Sequence, residues 1–233
     1  CVRNGVRTTG VKIGRTQRGL RGLIATRPCP AGSIMARVPL RSSISVFEAS
    51  KDQTFMQKLD PDTSALVYRQ QYLKEFVCRA PLRFDQYIVA LFMAHITLTE
   101  EHRLRPYVDF LPRHEGYFGP LQEKLNVCID GSWMAAACEL QFAKQHGLAP
   151  SEIRQLVLYA LSMVFSRQIL LSDAAALDSL FHDAVIPRSQ GQNFSTSFLF
   201  PVADLVNHSA AQENVDLIVE PSAPHDLIVQ ATE

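Results

Sequence analysis

The 233 residues balance 23 Lys and Arg against 23 Asp and Glu, and 47% of them are apolar. That is an ordinary globular composition, with enough chain to bury a core in one large domain or two small ones. No apolar run reaches the roughly 18 residues a membrane-spanning helix requires, and the five cysteines (Cys1, Cys29, Cys78, Cys128, Cys138) form no C-x-x-C pair, which argues against a structural zinc site or a disulfide framework.

Scattered histidines and unpaired thiols fit a reduced, intracellular setting, cytoplasmic or nuclear, with a plastid left open. The N-terminus lacks the charged-then-apolar order of a signal peptide. It starts with Cys1 rather than Met, as a processed or excised chain would. Charge is unevenly spread. Arg3, Arg7, Lys12, Arg15, Arg18, Arg21, Arg27, Arg37 and Arg41 precede the first acid, Glu48, and the remainder carries a net charge of minus nine. One reading is a basic surface for nucleic acid. The stronger one is a β-layer against an acidic helical body, because no aromatic residue interleaves the early arginines as single-strand binders require.

In chain order, Val11-Lys-Ile13 predicts a strand, Gly14 to Gly22 a loop, and Pro28 to Gly32 a turn before a strand over 33–38. The loop matches neither G-x-G-x-x-G nor G-x-x-x-x-G-K-[ST], so a nucleotide loop is not expected. From Ser45 to about Gln168 the pattern turns helical. Ser64–Cys78 reads as a helix, and Asp85 as the cap of another running through Thr97. The run Tyr87 to Ala94 is apolar on every side, as in a helix buried all round. His95 reads as a satisfied core histidine. Arg105 to Pro112, bracketed by prolines, reads as extended, and Trp133 to Gln145 as a helix stopped by Gly147.

The clearest helix starts at Pro150-Ser151 with Ser151 as cap. Ile153, Leu156, Val157, Ala160, Leu161 and Val164 share one face, and the helix delivers Ser166-Arg167 near its end. Arg167 there either complements the helix dipole or presents a guanidinium fork to a carboxylate. Residues 172–197 read as a polar loop. Phe198 to Phe200 is a short buried strand ended by Pro201, and strands follow at 215–220 and 227–231. Between them Asp204, Asn207, His208 and Ser209 arrive together. Taken alone, they read equally well as a turn or as a ligand site.

Read together, these segments resemble a family. Gly19-Leu-Arg-Gly-Leu-Ile-Ala-Thr26 and Pro30 to Pro39, the Pro106-Tyr107 to Leu111-Pro112 segment, Ser166-Arg167, and Pro201-Val-Ala-Asp-Leu-Val-Asn-His-Ser209 occur in that order. They are similar to a SET-domain protein methyltransferase of the Rubisco large-subunit lysine methyltransferase type, from about residue 10 to the end. The resemblance implies an α+β fold, with a SET-type β-fold of short strands (1–45 and 166–233) interrupted by a helical insert (46–165). It implies S-adenosyl-L-methionine as cofactor and a lysine-containing protein as substrate. By similarity, backbone around Arg18 and Leu20 touches the cofactor, Arg167 holds its carboxylate, Asn207 and His208 grip its amino-acid part and adenine edge, and Asp204 supports that segment. The family carries a glutamate where this chain has Arg18.

The branch that methylates an actin histidine places Asn and Trp where this chain has Ile169 and Ala203. Small apolar channel residues at these positions favour the aliphatic stem of lysine. Family members continue into a G-E-E-x-x-x-x-Y-G segment whose tyrosine lines the transfer channel, and then into a helical substrate-binding domain. Ala231-Thr-Glu233 reads as the approach to that segment, and no tyrosine follows Tyr159. The resemblance therefore names no catalytic residue and implies a C-terminally incomplete piece. The alternatives are an inactive SET-like interaction module or a protein-histidine methyltransferase.

Overall fold

A computed structural model describes residues 5–15, 21–59, 61–63, 82–112, 119–130, 132–171, 196–206, 215–220 and 226–232. They fall into two compact units. One holds the described residues up to Ser43 and from Phe200 onward; the other holds 44–171 and 196–199.

The first unit opens with β1 (Arg7–Thr8), β2 (Val11–Arg15), β3 (Arg21–Ala25) and β4 (Ile34–Pro39). β2 and β3 form an antiparallel ribbon in register from Val11 opposite Ala25 to Arg15 opposite Arg21. The expected Gly14–Gly22 loop is thus shorter, since both of its ends are strand; residues 16–20 lie outside the described ones. Gly14 faces Gly22 across the ribbon, and a Cβ on Gly14 would come within 2.7 Å of Ile24 Cδ1. Glycine is what lets the Ile24 side chain lie diagonally across its neighbour.

The second unit follows with β5 (Ile44–Ser45), α1 (Val46–Lys51), α2 (Gln53–Met56), α3 (Phe84–Leu98), α4 (Arg105–Phe110), α5 (Gly119–Ile129), α6 (Trp133–His146), α7 (Pro150–Arg167), β6 (Ile169–Leu171) and β7 (Thr196–Leu199). The expected Ser64–Cys78 helix lies outside the described residues. Every residue of α3 from Phe84 to Ile96 is buried, as its unbroken apolar pattern requires. α7 lays the stripe Ile153, Val157, Ala160, Leu161 and Val164 against it. β6 and β5 flank β7 in an antiparallel three-stranded sheet. Thr196 and Ser197, expected in a loop, are therefore strand.

Three local expectations are corrected. The N-cap of α3 is Arg83, not Asp85; Gln86 Oε1 accepts the Arg83 N–H at 3.0 Å. The N-cap of α7 is Ala149, not Ser151. Pro150 occupies the first helical position, where its missing N–H costs nothing, and Glu152 Oε2 accepts from the Ala149 N–H at 2.8 Å. Arg105–Phe110 is helical, not extended. Pro106 starts a helix as readily as it breaks one, burial of Tyr107 and Val108 rewards the turn, and Leu111 turns extended before Pro112.

The chain then returns to the first unit through a 3-10 turn (Ala203–Leu205), β8 (Val215–Val219) and β9 (Asp226–Ala231), which complete a four-stranded antiparallel sheet in the order β1-β4-β9-β8. Arg37 on β4 reaches across β9 to Glu220, just past β8, with Nη1 3.1 Å from both carboxylate oxygens. The α+β class expected from the sequence is the one observed.

A histidine cluster lies inside the helical unit. The His95 ring centroid is 5.6 Å from Phe55, 5.9 Å from His102 and 6.0 Å from His146. His102 Nδ1 accepts from the Leu104 N–H at 3.1 Å, so its Nε2 donates to Asp52 Oδ2 at 3.0 Å. Thr54 Oγ1 donates to Asp52 Oδ1 at 2.6 Å, which leaves His95 Nε2 to donate to Thr54 Oγ1 at 3.2 Å. His95 is a core residue as expected, but only half satisfied: its buried Nδ1 has no hydrogen-bond partner among the described residues.

Burial, then the Lys58 ammonium, then His102 and His146 lower His95 from 6.5 to about 4. His102 and His146 are also lowered, chiefly by burial. Burial alone would raise the Asp52 carboxyl, but hydrogen bonds from Thr54, the Phe55 N–H and His102 outweigh it and hold it at about 2. For the histidines the folded state binds fewer protons than the unfolded chain. Their stabilisation is complete above pH 6.5 and is lost as the pH falls toward 4, by up to about 3 kcal/mol for His95. Urea denaturation at about pH 7 and about pH 4.5 checks this; equal midpoints would contradict a neutral buried cluster.

Candidate functional site

In the helical unit, the residues singled out from the sequence sit at the turn from α7 into β6. Arg167 is the last helical residue, and Gln168 leaves helical geometry with φ −65° and ψ 139° while its N–H still bonds Val164 O at 2.8 Å. Ile169 opens β6 opposite Phe198. Arg167 and Ile169 are both half-buried. A cation at this end complements the helix dipole, and apolar surroundings strengthen any carboxylate it meets.

The turn is held from the other side by polar groups that the sequence did not signal. Gln168 Oε1 accepts from Ser197 Oγ at 2.7 Å and from Gln86 Nε2 at 3.1 Å. Arg83 Nη2 donates to Ser197 Oγ and to Asp85 Oδ2, both at 2.8 Å, and Asp85 Oδ2 also accepts the Ser197 N–H at 3.0 Å. Asp85, Gln86 and Ser197 are buried. Asp85 offers itself in the sequence only as a helix cap. Ser197 falls in what reads as a loop, so only the fold reveals their meeting.

In the β unit, the signature residues form a strained turn. Val202 has φ 77° and ψ −49°, and it is the only non-glycine with positive φ among the described residues. For a β-branched side chain this is an outlier that costs about 1–3 kcal/mol. The Asp204 N–H reaches back to Phe200 O at 3.1 Å, and the Leu205 N–H to Val202 O at 3.0 Å. Ala203 is buried, Asp204 half-buried, and β3 packs against the turn. Backbone strain of this kind concentrates where chain geometry serves a ligand. Valine gives no hint of it, because its own preference is the extended region. Arg18, Leu20, Asn207 and His208 lie outside the described residues.

No protein-family model matches the chain, and no curated protein matches it. Among solved structures it resembles the SET domain of LSMT bound to lysine and AdoHcy, at 17% identity and a TM-score of 0.53, covering 97% of this chain and 47% of that one. The same SET domain bound to methyllysine and AdoHcy gives 17% identity and 0.51, with 98% and 49% covered.

The fold is that of a SET domain. The chain spans about half the length of the SET-domain structures it matches. Among the described residues, the turn at Pro201–Val206 and the α7–β6 turn carry the candidate site residues Ala203, Asp204, Arg167 and Ile169.

The strained turn has a direct test. Val202→Ala keeps the positive φ and loses packing, whereas Val202→Gly loses the packing but relieves the strain. Val202→Gly is therefore expected to be the more stable of the two by about 1 kcal/mol, the reverse of the usual order. Denaturant midpoints of the two variants check it, and Val202→Ala coming out ahead would remove the strain argument.

Proposed function

We propose that this chain carries part of an S-adenosyl-L-methionine-dependent protein-lysine N-methyltransferase. The observation that supports this reading is the SET fold, because the structures it resembles are SET domains of LSMT bound to lysine or methyllysine and AdoHcy. The residues fit the cofactor's polar end. Arg167 is a half-buried guanidinium at a helix terminus beside apolar Ile169, a setting suited to a carboxylate. Asn207 and His208 follow the strained turn in sequence and supply an amide and an imidazole for the amino-acid part and the adenine edge. Backbone around Arg18 and Leu20 adds contacts, and Asp204 steadies the signature segment.

When bound, the cofactor supplies a methyl group activated by its sulfonium. The chain's own residues contribute position and environment. By the family resemblance Ile169 and Ala203 are channel positions, and their apolar side chains suit the lysine stem and offer no hydrogen-bond partner to an imidazole. A desolvated channel lowers the pKa of the incoming amine and favours its neutral, nucleophilic form. Holding nitrogen and methyl group in line supplies the entropic part of the rate.

Calorimetric titration tests the assignment. S-adenosylmethionine is expected to bind wild type and to bind Arg167→Ala roughly 10- to 100-fold more weakly, the loss of a charge-assisted pair. Equal affinity would remove Arg167 from the site. Labelled methyl groups transferred to proteins of a lysate are expected on lysine; label on histidine would overturn the substrate class.

A further inference from the structure

We propose that Ser197 and Gln168, backed by Arg83, Asp85 and Gln86, are positioning residues that set the aim of Arg167; this inference rests on the reading of Arg167 as the carboxylate-binding cation. Donor directions in the network admit one arrangement. A guanidinium only donates, so Ser197 Oγ accepts from Arg83 Nη2 and must give its own proton to Gln168 Oε1. The Arg83 N–H fixes Gln86 Oε1, which turns Gln86 Nε2 toward the same Gln168 oxygen. The Gln168 amide is therefore locked with its oxygen inward by two donors from two different elements, β7 and α3.

The location gives the lock its consequence. Gln168 is the residue at which α7 stops being helical, and it is bonded covalently to Arg167 on one side and Ile169 on the other. Helix ends fray, and an arginine side chain loses considerable rotamer freedom when it is held on a ligand. Ser197 sits opposite Leu170 in the β6–β7 ladder, so its hydroxyl ties β7, the strand paired with β6, to the residue just before β6. Asp85 holds the Ser197 N–H and the Arg83 guanidinium together, and both Asp85 and Ser197 are buried, where such bonds are stronger than in water. Buried polar networks add little net stability over an apolar filling and are better at selecting one geometry. Here the selected geometry is that of the segment presenting Arg167.

The test separates aim from general integrity. Wild type, Ser197→Ala, Gln168→Ala and Arg167→Ala are titrated with S-adenosylmethionine and with 5′-methylthioadenosine, which keeps the nucleoside and sulfur but lacks the carboxylate. Ser197→Ala and Gln168→Ala are expected to weaken S-adenosylmethionine about tenfold, with methylthioadenosine almost unchanged, the same pattern as Arg167→Ala. The double variant is expected to lose little more than either single one, since both break one chain of bonds. Equal weakening of both ligands, or of neither, overturns the proposal. In the ligand-free protein, nitrogen relaxation of the Arg167 Nε–H is expected to show greater motion in Ser197→Ala than in wild type. Unchanged motion sinks the positioning role by itself, whereas a wild type that binds neither ligand sinks the methyltransferase reading instead.

Discussion

A helix without a solvent-facing side has to be enclosed before the rest of its unit can be placed. From Phe84 to Ile96 each residue of α3 is buried, and each large apolar side chain removed from water contributes about 1.5–3 kcal/mol. The enclosure comes from α1, α4, α7, β5 and β7. Because α7 meets α3 along a continuous stripe, the register of that contact decides where α7 ends. The position of Arg167 is thus a consequence of core packing, reached through the helix that carries it.

Packing places the helix end but does not aim the side chain that leaves it. The polar residues at the N-terminal end of α3 do that work, joining Gln168 and Ser197 through bonds of 2.7–3.1 Å in directions their donors dictate. The same helix therefore supplies apolar enclosure along its length and polar organisation at its start. At its other end lies the histidine cluster, where neutral imidazoles are ordered by Asp52 and Thr54. A single buried element thus joins two polar clusters of different chemistry, one bearing on the candidate site and the other on acid stability.

The β unit uses a different device. Its sheet is tied across β9 by the Arg37–Glu220 pair, while the segment bearing the signature residues takes a backbone conformation valine does not favour. Buried neighbours on both sides, Phe200, Pro201 and Ala203, hold it there. A strained turn is thus kept in place by burial at the start of the signature segment.

Much of this was legible in the sequence. The all-round apolar run of α3, the stripe of α7, the glycine stop at Gly147 and the strands on either side of residues 221–225 follow from periodicity and backbone preference, which act over a few residues. The order of short motifs pointed to a SET-type fold. Where local signals had two meanings, the sequence misled: Pro106 starts a helix, Ser151 gives way to Ala149 as cap, and Gly14 and Gly22 lie within paired strands. The network around Gln168 and the positive φ of Val202 could not be read at all. The network depends on partners far along the chain, Ser197 lying 112 residues from Asp85, and the turn after Val202 packs against β3. Hydrogen-bond direction and backbone strain exist only once distant segments are packed together. The sequence by itself nominated candidate residues and many of the elements that carry them; only the tertiary structure decided how the backbone around Arg167 and Asp204 is held, because holding requires neighbours that the chain's order does not provide.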